Sequence, residues 1–135
     1  MTSTNQAVSG FQNVQEAQAH FDSRASLYND RNVAAIIDGL ADDVEIQYGE
    51  LPVMGKKEFE GVLTQRFNDM TEYHLDKTVR FVVDNQVVTE LDVRWAGAAS
   101  QGQPRRTRAL EILTFRGKKI IKWELVSCLR PSNLA

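Results

Sequence analysis

The sequence predicts an α+β domain in which a curved antiparallel sheet wraps around three N-terminal helices. Three observations carry this. Up to about Met70, apart from a short strand at Val44 to Tyr48, apolar residues recur at steps of three and four. From Thr71 onward they alternate with polar ones. Turn signals at Asp84-Asn85 and Gly117-Lys118, with a longer loop from Ala98 to Pro104, divide that second half into four long strands. Helices grouped early and strands grouped late form a layered α+β arrangement. The 135 residues suit one domain with a real core. Residues 1–11 read as a flexible N-terminus, 12–131 as the domain and 132–135 as a tail.

The first helix is expected over about Asn13 to Asp30, where Val14, Ala17, Phe21, Ala25 and Tyr28 share one face. Arg24 lies at the edge of that face. It either covers apolar surface with its stem or reaches into a pocket as a donor. Asn32 is suited to cap a short helix from Val33 to Leu40, with Ala34, Ile37, Leu40 and Ala41 buried. Val44 to Tyr48 alternates as a half-buried strand, with Val44, Ile46 and Tyr48 inward. Gly55 to Met70 reads as the third helix on the stripe Phe59, Val62, Leu63, Phe67 and Met70. The four strands follow at Tyr73–Val83, Gln86–Ala96, Thr107–Phe115 and Lys119–Leu129. On the second, Leu91, Val93 and Trp95 are expected to face the helices. On the fourth, Ile121, Trp123, Leu125, Ser127 and Leu129 share one face.

The opposite face still carries Leu110, Ile112, Ile120, Val126 and Cys128. Apolar surface on an outer sheet face calls for a partner, and a symmetric homodimer is the expectation. The net charge of -2 favours neither nucleic acid nor an anionic membrane. The basic cluster Arg105, Arg106, Arg108, Lys118 and Lys119 lacks interleaved aromatics and reads as a solvated rim. No apolar run approaches the ~20 residues of a membrane span. The two histidines, His20 and His74, and the single Cys128 have no metal-ligand spacing, and no phosphate-binding glycine loop occurs. Neither a metal nor a cofactor is expected. The single cysteine fits a reducing, cytoplasmic setting.

Glu111 stands out as one carboxylate in the apolar strand Arg108 to Phe115. The two faces of that strand are similarly apolar, so periodicity leaves its direction open. Leu40-Ala41-Asp42-Asp43 leads into a strand ending Tyr48-Gly49, and Gly55-Lys56-Lys57-Glu58-Phe59 opens a helix. Together with the closing stretch from Glu111 to Ser127, these features resemble the NTF2-like superfamily, which includes ketosteroid isomerase, SnoaL-type polyketide cyclases and limonene epoxide hydrolase. The resemblance covers about residues 12–130. It implies a cone-shaped fold with an internal pocket, and it turns Glu111 inward, where ketosteroid isomerase has a buried carboxylic acid. That enzyme's phenolic donor falls near Arg24 here, and its basic carboxylate falls near Ile46 or Tyr48. Neither is a carboxylate, so steroid-type isomerisation by that machinery is not implied. The epoxide hydrolase's Arg-x-Asp pair is reversed here as Asp92-Val93-Arg94, and no Asp lies near Leu125. Leu110 to Phe115, with Ser127-Cys128-Leu129-Arg130-Pro131, is most similar to the SnoaL-like branch.

The resulting expectation is a small-molecule site centred on Glu111. In an apolar cavity this carboxylate must pair, with Arg24 as the candidate, or stay protonated as a proton donor. Tyr48 would add a hydroxyl and Ser127 a small polar contact. Trp123, Phe67, Trp95, Ile46 and Leu113 would line the wall. If it is an enzyme, Glu111, Tyr48 and Arg24 would carry acid–base chemistry of a cyclase, isomerase or dehydratase type. The alternative is a non-catalytic ligand-binding or dimerising domain.

Overall fold

Local sequence signals set the helices and their ends in the computed structural model, which describes residues 10–128, with Ser127 and Cys128 described by backbone alone. The expectations for residues 1–9 and 129–135, Leu129 among them, lie outside the described residues. Helix α1 spans Val14–Asn29; the Asn13 side chain caps it by accepting from the Glu16 N–H at 2.8 Å. Ala17, Phe21, Ala25 and Tyr28 are buried, as the stripe requires, and Arg24 is buried beside them. Val14, in the first turn, is exposed.

Helix α2 is shorter than its pattern suggests, Val33–Asp38, capped by Asn32. Ile36 and Ile37 are its buried residues, whereas Ala34 faces water. Leu40 and Ala41 are buried as the opening of strand β1, Leu40–Tyr48. The break comes at Gly39, where a Cβ would lie 2.2 Å from Arg24 Nη1, so glycine makes room for the buried guanidinium. Helix α3, Lys56–Asn68, starts at Gly55, whose N–H is met by Glu58 Oε1 at 2.8 Å. It buries Phe59, Leu63 and Phe67.

Strands β2 (Met70–Val83), β3 (Gln86–Gly97), β4 (Arg105–Arg116) and β5 (Lys119–Cys128) form an antiparallel meander. Strand β1 joins its far side parallel to β5, giving the order β1-β5-β4-β3-β2. Breaks in register between Val79 and Phe81 and between Thr114 and Phe115 add bends to these long strands. The second break changes the phase of β5. Ile120 pairs with Phe115 and is buried, while Ile121 is only half-buried. The expectation that Ile120 lies on the outer face is therefore corrected by a one-residue bulge.

Both edges of the sheet are engaged. On β2, Asn29 of α1 accepts from the Leu75 N–H and donates to the Leu75 carbonyl, at 2.7 and 3.0 Å. Gln18 treats the Val79 N–H and the Lys77 carbonyl in the same way, at 2.7 and 2.9 Å. On β1, Ile46 exchanges both backbone hydrogen bonds with Met54. The β2 contacts fix α1 along the strand that carries Lys77.

Within α1, His20 packs against Phe11, Phe21 and Phe115, with ring centres 5.0, 5.4 and 6.0 Å away. Burial, reinforced by the positive charges of Arg24, Lys118 and Lys77, lowers its pKa from 6.5 to about 4. Between those values the unfolded chain binds more protons than the folded one. Stability from this site is therefore full above pH 6.5 and falls as the pH drops towards 4. Urea midpoints measured across that range should decline in the wild type, and His20→Phe should flatten the decline.

Candidate functional site

The inner face of β4 presents Ala109, Glu111, Leu113 and Phe115, all buried, so Glu111 points towards the helices and is fully shielded. Register brings its partners from two neighbouring strands. Thr89 of β3 lies directly opposite and donates its hydroxyl to Glu111 Oε1 at 2.7 Å. Lys77 of β2, one strand further, donates from Nζ to the same oxygen at 3.1 Å. Three ring centres surround the ammonium, those of Tyr28, Phe21 and Trp123, at 5.2, 5.5 and 5.6 Å. Burial lowers the pKa of Lys77, against the opposing charge of Glu111. The second carboxylate oxygen, Oε2, has no hydrogen-bond partner within the described residues.

This pair lies on the wall of a cavity of about 1090 Å³. Leu75, Leu91, Val93, Trp95, Ala109 and Leu125 make most of the deep wall apolar, together with Tyr28 and Trp123. Two further buried polar atoms of residues that line it, Tyr28 Oη and Trp123 Nε1, also lack partners within the described residues. Burial raises the pKa of the Tyr28 hydroxyl, as it does that of Tyr73, so both remain protonated donors. At the mouth, Tyr48 Oη accepts from Arg66 Nη1 at 2.7 Å, with the guanidinium 4.8 Å from the centre of its ring. Its own hydroxyl proton is thereby turned away from Arg66. Glu50, Glu58, Gln65 and Asp69 complete the rim.

Of the residues expected here, Glu111, Tyr48, Trp123 and Trp95 line the cavity. Trp95 directs its N–H to Thr107 Oγ1 at 3.0 Å. Ile46, Phe67 and Leu113 are buried in the surrounding core and do not form its wall. The Ser127 side chain lies outside the described residues; its backbone pairs with Ala109. Arg24 does not pair with Glu111. Its Nη1 donates to the Ile36 carbonyl at 3.0 Å, holding α2 against α1, and Lys77 supplies the cation instead. Sequence reasoning missed Lys77, Thr89, Arg66 and the wall position of Tyr28. The available signal was phase: Lys77 alternates with the buried Leu75 and Val79, and Thr89 with Val87 and Leu91.

Removing one member of a buried pair strands the other charge. Lys77→Met or Glu111→Leu alone should cost about 3–5 kcal/mol of unfolding free energy. The Lys77→Met/Glu111→Leu double variant should recover most of that loss in denaturant titrations.

The sequence model for the SnoaL-like domain matches residues 17–123. No curated protein matches the chain in sequence. Among solved structures, a proposed polyketide cyclase from Xanthomonas campestris pv. campestris superposes with a TM-score of 0.73 at 18% identity, over 84% of this chain and 91% of that one. AclR, a proposed hydroxylase from Streptomyces galilaeus, gives a TM-score of 0.75 at 16% identity, over 90% and 84% of the two chains. A protein with a ketosteroid isomerase-like fold from Catenulispora acidiphila, solved in complex with trimethylamine, gives 0.66 at 16% identity, over 76% and 79%. These identities speak to the fold alone. With the family match extending from α1 into β5 and the same fold in these structures, the chain belongs to the SnoaL-like domain family, on the NTF2-like fold.

Proposed function

We propose that the cavity binds a small, largely apolar ring molecule bearing a carbonyl or hydroxyl group, and that the protein moves a proton on it, as a cyclase, isomerase or dehydratase does. One observation carries this reading. Glu111, Tyr28 and Trp123 line an otherwise apolar cavity, and their Oε2, Oη and Nε1 atoms lack partners within the described residues. Each unmet buried polar group costs about 1–3 kcal/mol, and a ligand that meets them recovers this. The two donors suit a carbonyl oxygen that gains charge as a neighbouring C–H is lost. Glu111 Oε2 is the proton carrier, with Oε1 fixed by Thr89 and Lys77. Tyr48, oriented by Arg66, adds a donor from the mouth. Arg24 acts only at a distance, by holding α1 to α2.

A second reading is binding without turnover. It is favoured by the closed Lys77–Glu111 pair, which already satisfies one carboxylate oxygen. Tetralone, an apolar ring ketone, separates the two. Under the first reading the protein accelerates exchange of the protons beside the carbonyl with deuterium, and Glu111→Gln abolishes the acceleration. Binding without exchange supports the second reading. For naphthol, replacing the carboxylate by an amide should weaken binding about fivefold, the difference between a charge-assisted and a neutral hydrogen bond. Unchanged affinity would place the site elsewhere.

The outer sheet face supports a homodimer. Leu110 and Val126 are cross-strand neighbours and are 51% and 69% exposed, with Ile112 beside them. Ion pairs of Arg106 with Asp92 and of Arg108 and Arg80 with Glu90 flank this stripe. A face carrying both signs of charge around an apolar centre is complementary to a second copy of itself. Sedimentation should show a dimer for the wild type and a folded monomer for Val126→Asp or Ile112→Asp.

A further inference from the structure

Lys77 is the one buried residue among the chain's six lysines. Lys77 lines the cavity, and its amine is 3.1 Å from a carboxylate and faced by three aromatic rings. The proton-transfer reading uses Lys77 only to hold Glu111. A primary amine beside an acid–base group in an apolar cavity is also equipped to attack a carbonyl carbon. Burial, which lowers its pKa, raises the fraction present as the nucleophilic neutral amine.

We propose that Lys77 captures apolar aldehydes or ketones covalently, as an iminium, with Glu111 carrying the protons. The proposal rests on the cavity being a ligand site. The reaction begins when the ammonium passes a proton to Glu111. The nitrogen lone pair then bonds to the carbonyl carbon, and the C=O π pair moves onto oxygen, which takes the proton from Glu111. The carboxylate next accepts a proton from nitrogen, giving a neutral carbinolamine. Glu111 returns that proton to the hydroxyl, which leaves as water with its bonding pair while nitrogen forms the C=N bond. An ammonium–carboxylate pair thus becomes an iminium–carboxylate pair and water, with no change in the site's net charge. Tyr28 Oη and Trp123 Nε1, both without partners in the described residues, are donors for the oxygen along the way.

The test is to incubate the full chain with naphthaldehyde and sodium cyanoborohydride, which reduces the iminium to a stable secondary amine, and to map the product by mass spectrometry. We expect one adduct per chain, on Lys77, formed before any on Lys56, Lys57, Lys118, Lys119 or Lys122. The Lys77→Met/Glu111→Leu variant, which leaves neither charge stranded, should lose that adduct while its denaturant titration still shows a cooperative unfolding transition. Methylnaphthalene, which has no carbonyl, reports cavity binding through tryptophan fluorescence. Adducts on the other lysines alone, or none, in a wild-type protein that binds methylnaphthalene would overturn covalent capture and leave the binding reading standing. Failure of the wild type to bind methylnaphthalene would overturn both.

Discussion

A charged pair held away from water in the middle of the sheet is the constraint on which the rest of the structure depends. Lys77 and Glu111 lie on different strands with β3 between them, so their contact exists only if both strand pairings are in register. A slip of one residue in either pairing would turn one of the two charges to the opposite face. Apolar packing alone discriminates less sharply, because β4 is apolar on both faces. The pair contributes little net stability after desolvation is counted. Its effect is on which arrangement forms, and the cavity is a consequence of that arrangement.

The same geometry explains why the cavity is both apolar and chemically directed. The two charges meet at Oε1, where Thr89 also binds, so the polar capacity left over is concentrated in Oε2 and two aromatic side chains. The aromatic rings have two functions here. They face the ammonium with their π surfaces, and two of them, Tyr28 and Trp123, also carry a hydrogen-bonding group and line the cavity.

Much of the fold was legible because it rests on periodicity and end signals. The α1 stripe, the Asn32 cap and the four-strand meander all follow from local residues. The site was legible only in part. Glu111 is conspicuous as a lone charge in an apolar strand, whereas Lys77 sits in a strand that also carries Glu72, Asp76 and Arg80, so its charge does not stand out. Its inward phase is visible only once Leu75 and Val79 are known to be buried. Arg24 was misassigned as the partner of Glu111 because a helical wheel fixes an angle around the axis but not the reach of a long side chain. It turns to the carbonyl end of α2, a place defined by how two helices meet. Ile120 was misplaced because a bulge inserts one residue without a mark in the alternation.

The paired amides of Gln18 and Asn29 on β2, and the exchange between Ile46 and Met54 on β1, leave fewer free backbone donors and acceptors at the sheet's margins. Exposed margins of that kind template strand addition from other chains and seed fibrous aggregates. Here the β2 margin is covered by side chains of α1, so its protection lasts only while that helix stays docked. Local detachment of α1, rather than global unfolding, is then the event that opens this protein to runaway self-association.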